Sequence, residues 1–225
     1  MKKIVISLGG SLIVPEKINI VFIRKFVNLI SKYNKKYIFV IVVGGGKTSR
    51  NYMSEVKKCK LEKTYQSQVG VYATLLNASL IASFFKPKSR IIMPYFYDEF
   101  LKIYKKNKIA VIGGIIPGST TDGTAAEVSK LIDADLFINL TNVAGLYNKD
   151  PRTHKSAKLI KSISHNDFYN KFIKKFKYEP GQHFVLDQTA SKIARKNGIK
   201  VVILNGLNNL EKCLNNRKYL GTTIQ

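Results

Sequence analysis

The chain of 225 residues is poor in the residue types that build metal centres and nucleophilic sites. Its two cysteines, Cys59 and Cys213, lie far apart and outside any C-x-x-C pattern, so neither a zinc site nor a disulfide framework is predicted. The three histidines lie in polar, loop-like stretches, which leaves no credible Ser/His/Asp or Cys/His arrangement. No apolar run approaches the roughly 18 to 20 residues of a membrane span, and the first residues lead directly into a short strand. We therefore expect a cytoplasmic protein with no membrane segment.

Acidic residues are also scarce, with 14 Asp and Glu against 38 Lys and Arg, which gives a formal net charge of +24. Such a charge attracts polyanions, including nucleic acid, and speeds the arrival of charged nucleotides. The lysine-rich runs have two interpretations, a compositional bias of the whole chain or a polyanion-binding face. The chain lacks the aromatic and basic signature of an RNA-recognition strand, so nucleic-acid binding is the less favoured alternative.

The chain alternates strand-like and helix-like segments, which predicts an α/β fold with a mainly parallel central sheet covered by helices on both faces. The predicted strands are 4–8, 37–43, 90–93, 109–112, 136–140 and 200–204, with a short final strand near Thr222. The predicted helices are 21–31, 48–58, 69–85, 124–132 and 188–196. The length and the 45% hydrophobic content indicate a single domain with two lobes.

Four glycine-rich segments follow predicted strands, at 9–11, 44–47, 113–122 and 141–145. A glycine lets backbone N–H groups approach an anion closely, and a helix that begins just beyond it adds its positive dipole end. Neither single-loop nucleotide motif fits. A Walker A motif would need a glycine where Ile41 stands, and a dinucleotide fingerprint would need one at Ser49. The segments predict a phosphate site built from several strand ends.

In this site, the segment 9–11 offers N–H and hydroxyl donors to the transferring phosphoryl group, while Gly45 and Gly46 line the space between donor and acceptor. Arg50 lies one helical turn further on, where its guanidinium can hold a phosphate with two bonds, and the alternative is a surface salt bridge. The segment 115–121 supplies small hydroxyl side chains for a phosphate-binding loop. For Asp122 we favour a helix-capping role over a role in holding magnesium.

Five motifs occur in an order that resembles the amino acid kinase superfamily and, within it, the archaeal-type uridylate kinases. They are Ser7-Leu8-Gly9-Gly10-Ser11, Gly44-Gly45-Gly46-Lys47-x-x-Arg50, Gly113-Gly114-x-x-Pro117-Gly118-x-Thr120-Thr121-Asp122, Thr141-Asn142-Val143-x-Gly145-Leu146-Tyr147-x-x-Asp150-Pro151 and Asp187-x-x-Ala190. The resemblance covers nearly the whole chain, and the Pro-Gly-x-Thr-Thr-Asp loop is its most specific element.

The resemblance implies a three-layer αβα sandwich, usually assembled as a homohexamer. It also implies transfer of the ATP γ-phosphoryl group to UMP with Mg²⁺, which yields UDP for pyrimidine nucleotide synthesis. By the same resemblance, residues 1–130 form an acceptor-side lobe and residues 131–225 an ATP-side lobe. Such a reaction requires the two phosphates to be placed in line and their charge to be neutralised, and glycine loops, an arginine and lysines suit that task.

Position by position, the resemblance assigns roles to individual residues. ATP would be bound by Ser7, Leu8, Gly9, Gly10, Ser11, Gly46, Arg50, Thr141, Asn142, Tyr147 and Asp150. UMP would be bound by Gly45, Ser67, Ile115, Ile116, Pro117, Gly118, Ser119, Thr120 and Thr121. The groups closest to the chemistry would be Gly10, Ser11 and Lys47. No residue is assigned as a metal ligand.

The chain departs from the family pattern at three positions. Many members carry a charge-neutralising lysine where this chain has Ser7, and we expect Lys47, or failing that Lys192, to replace it. The acidic residue that binds the UMP ribose in relatives falls near Ser67, which favours, as an alternative, a phosphotransferase of the same fold acting on another small acceptor. The family's Val-Asp-Gly appears as Val143-Ala144-Gly145, and nothing in the sequence explains this change.

Overall fold

The computed structural model describes residues 1–85, 100–101, 104, 108–115, 119–151, 153–174 and 185–225. Its strands form one seven-stranded sheet in the order β3-β2-β1-β4-β6-β7-β5. They are β1 (Lys2–Leu8), β2 (Tyr37–Val43), β3 (Ile109–Ile112), β4 (Leu136–Leu140), β5 (Ser162–Ile163), β6 (Val201–Leu204) and β7 (Gly221–Ile224). The sheet is mainly parallel, and β7 pairs antiparallel with β6.

The central strands are continuous apolar runs because helices cover both faces of the sheet. The helices are α1 (Gly10–Ile13), α2 (Ile20–Tyr33), α3 (Gly46–Lys58), α4 (Lys63–Ser83), α5 (Thr121–Leu131), α6 (His165–Phe168), α7 (Gln188–Lys196) and α8 (Leu207–Leu214), and a π-helical turn (Tyr169–Ile173) follows α6. No described helix combines the length and the apolarity needed to cross a membrane.

Two apolar cores lie on opposite faces of the sheet, because successive strand side chains point to opposite sides. One core joins the sheet to α2, α4 and α8, with Phe26 and Phe39 fully buried in it. The other joins the sheet to α5, α7 and the π-helical turn, around Phe137 and Phe168. The predicted αβα sandwich with a mainly parallel sheet is therefore confirmed.

The predicted strands at 37–43, 109–112 and 136–140 and the helix at 188–196 match the structure in both bounds. Four elements were missed in the sequence: the short helix α1, the edge strand β5, the segment from α6 through the π-helical turn, and α8. The predicted strand at 90–93 lies outside the described residues.

Candidate active site

The candidate site lies at the edge of the sheet where the parallel strands end. Leu8, the last residue of β1, pairs with Val43 of β2 on one side and with Leu140 of β4 on the other. The chain continues from β1 to β2 and β3 in one direction, whereas β4 and β6 lie in the other. In open α/β sheets, a crevice forms at such a switch point, outside the carboxyl ends of the strands. The glycine-rich loops after β1, β2 and β4 all begin at this edge, and the space between them is the expected crevice.

The loops after β1 and β2 pack backbone against backbone. A Cβ atom added to Gly44 would lie 2.6 Å from the Gly10 nitrogen, and one added to Gly10 would collide with the backbones of Gly44 and Gly46. Gly46 also has φ +60°, a left-handed conformation that suits glycine. The direct reason for glycine at these positions is therefore the contact between loops, which places the first turns of α1 and α3 side by side.

The first turns of α1 and α3 present unpaired backbone donors. Among the described residues, the N–H groups of Gly10, Ser11, Gly46 and Thr48 have no hydrogen-bond partner, as expected for the opening positions of a helix. Two adjacent helix N-termini with free N–H groups make a site suited to phosphate, because the donors and the helix dipoles act on the same anion.

Two buried polar side chains of helix α4 bind the loops after β2 and β3. The Asn77 side-chain amide donates to the carbonyl oxygens of Gly44 and Gly45, each at 2.9 Å. The Thr74 hydroxyl accepts a 2.6 Å hydrogen bond from the Gly114 N–H. Neither residue was predicted from the sequence. Their signal was present, since two polar residues three positions apart interrupt an otherwise apolar stretch of helix.

Ser67 lies on the same face of α4 as Thr74 and Asn77, because residues three and four positions apart share a helix face. It is half-buried, and the next residue on that face, Gly70, packs against α3. Ser67 therefore belongs to the helix face that supports the loops of the crevice.

A carboxylate stands where β1, β4 and α5 meet. The Ser7 hydroxyl donates to Asp122 Oδ1 at 2.6 Å, and the Asn139 side-chain amide donates to Oδ2 at 3.0 Å. Enclosure by protein, together with the negative charge of Asp187, raises the pKa of Asp122 to about 7 in spite of these bonds. Asp122 as a whole residue is half-buried.

The expected capping role of Asp122 is wrong. Thr120 is the N-cap of α5, and its hydroxyl accepts from the Gly123 N–H at 2.9 Å. The same hydroxyl donates to Asp187, which caps α7 through the Ala190 N–H at 2.9 Å. Because Thr120 caps the helix, Asp122 is free to bind Ser7, and the two helix starts are joined to the base of the crevice.

The predicted cationic residues differ in their surroundings. Lys47 Nζ lies 3.2 Å from a carboxylate oxygen of Glu16, which belongs to the loop after α1. Arg50 lies one turn along α3, is exposed, and forms no ion pair with the described residues. Lys192 is exposed on α7. The structure thus brings Lys47 next to the loop of Gly10 and leaves Arg50 available for a ligand.

The residues expected to hold the adenosine end of ATP follow β4, on the other side of the switch point. The Thr141 N–H donates to Leu204 of β6, and the Asn142 carbonyl accepts from the Asn205 side chain. Tyr147 is half-buried and pairs with Leu159, and Asp150 is exposed at a turn. All four residues lie beyond the end of β4. Asn142 is exposed at the same edge of the sheet as Gly10.

The loop after β3 is described only in part. Ile115 is buried, and Ser119, Thr120 and Thr121 are half-buried at the start of α5. The remaining predicted members, residues 116–118, comprising Ile116, Pro117 and Gly118, lie outside the described residues. Of the predicted ATP contacts, Leu8 is fully buried, and Gly9 donates its N–H to Leu140 at 2.9 Å.

The chain is similar in sequence and in fold to known kinases. The model of the amino acid kinase family matches residues 2–205. A uridylate kinase of Pyrococcus abyssi is 34% identical, with 90% of this chain and 89% of that protein covered, and one of Methanococcus aeolicus is 34% identical, with 99% of each covered. The crystal structure of uridylate kinase from Archaeoglobus fulgidus matches with a TM-score of 0.87 and 33% identity over 100% of both chains.

Proposed function

The chain belongs to the amino acid kinase family, and from that premise we propose that it is a UMP kinase, which transfers the γ-phosphoryl group of ATP to UMP. One observation carries the proposal. The chain is similar over its whole length, in sequence and in fold, to a uridylate kinase at 33% identity and a TM-score of 0.87.

The geometry of the crevice fits phosphoryl transfer between two nucleotides. Such a reaction needs little covalent participation by the protein, and catalysis comes from placing donor and acceptor in line and from neutralising charge. The free N–H groups at the starts of α1 and α3 provide fixed donors for phosphate oxygens. Arg50 can hold a phosphate with two hydrogen bonds, and Lys47 can add a positive charge once it leaves Glu16.

We assign the remaining roles by position in the crevice. ATP phosphates would lie against Gly10, Ser11, Gly46 and Arg50, on a loop held in place by the buried Ser7 and Leu8 and by Gly9. The adenosine end would lie against Thr141, Asn142, Tyr147 and Asp150. UMP would lie against Gly45, Ser67, Ile115 and the loop 116–121. Residues 1–130 would form the acceptor-side lobe and residues 131–225 the ATP-side lobe.

Mg²⁺ is part of the proposal as a companion of ATP. The described residues contain no cluster of three or more potential metal-binding side chains. This fits Mg²⁺, which is usually bound by substrate phosphates and waters with only one or two carboxylates from the protein. Asp122, at the base of the crevice and partly open, is the carboxylate that would take this part, and the ion would neutralise phosphate charge.

We further propose a cytoplasmic enzyme that supplies UDP to pyrimidine nucleotide synthesis and that assembles as a homohexamer. Sedimentation equilibrium of the purified chain tests the assembly, and a mass other than six protomers would contradict it.

The decisive experiment measures ADP release from ATP and Mg²⁺ with UMP, CMP, AMP, N-acetylglutamate, aspartate and isopentenyl phosphate as acceptors. We expect UMP to give the highest kcat/KM. Because a serine replaces the family's acidic residue at Ser67, a second outcome is informative: a clear preference for another acceptor would keep the phosphotransferase and reject UMP. No acceptor-dependent ADP release at all would reject both.

Arg50→Ala tests the assignment of the phosphate clamp. We expect kcat to fall by roughly tenfold or more with little change in melting temperature, because one charge-assisted contact to the reacting phosphate is lost. Arg24→Ala is the matched control, since Arg24 is an exposed helical arginine that lies outside the crevice. Equal turnover in the two variants would assign Arg50 to the surface.

A further inference from the structure

A second concave site lies at the opposite edge of the sheet, where the parallel strands begin. It is a groove of about 300 Å³ between the sheet and the end of α8. Its floor is apolar and includes Ile4, Leu136 and Val202, and Tyr37 and Tyr219 also line it. Because β1 has seven residues, this groove is about 20 Å from the crevice at the other end of the strand.

Three cationic residues line the groove: Lys2, Lys200 and Arg217. Lys2 shares a sheet face with Ile4, and Lys200 shares the same face with Val202, because residues two apart on a strand point to the same side. One strand, β4, separates β1 from β6, so the backbones of Lys2 and Lys200 are roughly 10 Å apart. The fold therefore directs both lysines to the same end of the same face.

Arg217 approaches this end of the sheet from the opposite wall. It follows the last turn of α8, where its N–H donates to the Lys212 carbonyl at 2.8 Å. The Leu214 carbonyl, which would otherwise present negative charge, accepts a 2.6 Å hydrogen bond from the Tyr37 hydroxyl. These helix-end carbonyls are thus partnered within the protein.

The positive charge of the groove is poorly balanced. The groove has one acidic lining residue, Asp135, which accepts a 2.7 Å hydrogen bond from the Lys3 backbone N–H and whose charge offsets one of the three positive charges. In the part of the chain that the structure describes, none of the three cations forms a direct ion pair. The nearby Glu211 is bonded to Lys32, and the charge of Arg217 adds to that bond in lowering the pKa of Glu211. Among the described residues, the groove therefore holds three cations without a direct ion pair, of which Arg217 is partly balanced by Glu211, above an apolar, partly aromatic floor.

We propose that this groove binds a phosphorylated small molecule with a flat ring, of the nucleotide class, at a site separate from the catalytic crevice. The guanidinium of Arg217 offers paired donors that match phosphate, and the lysines offer point charges beside it. The floor accepts the ring, since ligand sites typically combine apolar walls with a few polar groups that fix orientation. The volume is at the lower end of the range for such sites.

The test counts bound ATP by equilibrium dialysis without acceptor, at low ionic strength. The variant Lys200→Gln/Arg217→Gln removes two groove cations. The control Arg24→Gln/Lys25→Gln removes one arginine and one lysine from exposed positions on α2. We expect the wild type and the control to bind one more ATP per chain than the groove variant, or to bind it at least about tenfold more tightly.

Equal stoichiometry and affinity in all three proteins would overturn the proposal. The same dialysis with inorganic tripolyphosphate and with adenosine shows which part of ATP the groove recognises, the phosphates or the nucleoside. Binding of tripolyphosphate as tight as that of ATP would overturn the nucleotide assignment, because the ring would then contribute nothing. Phosphotransfer measured on the same variants should be unchanged at saturating substrate. The count of bound ATP does not depend on turnover, so failure of the proposed activity leaves this test intact.

Discussion

Replacing Asp122 with asparagine removes a charge from the base of the crevice and keeps the shape of the side chain. In the native protein, the carboxylate accepts from the Ser7 hydroxyl and from the Asn139 amide. The asparagine oxygen can keep the bond from Asn139, while its amide would face the Ser7 hydroxyl, which can rotate and accept. We therefore expect the Asp122→Asn protein to fold.

The magnitude follows from the raised pKa of Asp122, about 7 against an ordinary 3.8. Between these values the folded state holds a proton that the unfolded state has released, so the free energy of unfolding decreases as pH rises. The contribution is fully present below pH 3.8 and is lost by about pH 7. At about 1.4 kcal/mol per pKa unit, the loss between pH 5 and pH 8 is at most about 3 kcal/mol, since part of the residue meets solvent.

Urea unfolding at pH 5 and pH 8 measures this effect. The stability of Asp122→Asn relative to the wild type should increase by up to about 3 kcal/mol from pH 5 to pH 8. The cost of altered hydrogen bonds is the same at both pH values and cancels. Glu62→Gln is the control, because Glu62 is an exposed carboxylate without a side-chain capping bond. A relative stability that does not change with pH, as in the control, would refute the reasoning.

Three further predictions concern residues around the two sites. Asn77→Ala should lower the free energy of unfolding by roughly 2 kcal/mol, because two loop carbonyls lose their donor. A loss below roughly 0.5 kcal/mol in a urea titration would contradict the role of Asn77 in supporting the loop. Lys47→Ala and Glu16→Gln should each change the free energy of unfolding by less than about 1 kcal/mol, because the ion pair is exposed. Only Lys47→Ala should slow turnover, and equal turnover in the two variants would contradict the role of Lys47. Burial raises the pKa of Cys213 to about 11. A thiol reagent at pH 8 should therefore label the exposed Cys59 rapidly and Cys213 only after unfolding. Fast labelling of both cysteines in the folded protein would disprove this difference in reactivity.

Local patterns were sufficient to predict most of the fold. The strands 37–43, 109–112 and 136–140 are continuous apolar runs, and a strand buried on both faces requires such a run. The helix at 188–196 has its cap, Asp187, directly before it. The helix α8 was not predicted. Its apolar residues recur at helical spacing, but Asn208 and Asn209 are of a residue type that favours turns.

The glycine-rich segments were also predicted to meet at one edge of the sheet, and those after β1, β2 and β4 do lie at the edge where these parallel strands end. The reason for individual glycines was visible only in the structure. Gly10, Gly44 and Gly46 are required by contact between two loops more than 30 residues apart in sequence. No local window contains both loops, so sequence reasoning assigned these glycines to phosphate alone.

The sequence by itself determined most of the central strands and the helices that cover them, the choice of a parallel sheet and the family, because these depend on periodicity and on motifs within short windows. Only the tertiary structure decided that Asp122 binds Ser7, and that Asn77 holds the loop after β2. It also gathered Lys2, Lys200 and Arg217 into one groove. Ser7 and Asp122 are 115 residues apart, Gly44 and Asn77 are 33 apart, and Lys2 lies 198 residues from Lys200. Their proximity comes from packing of the whole chain, which no local pattern records.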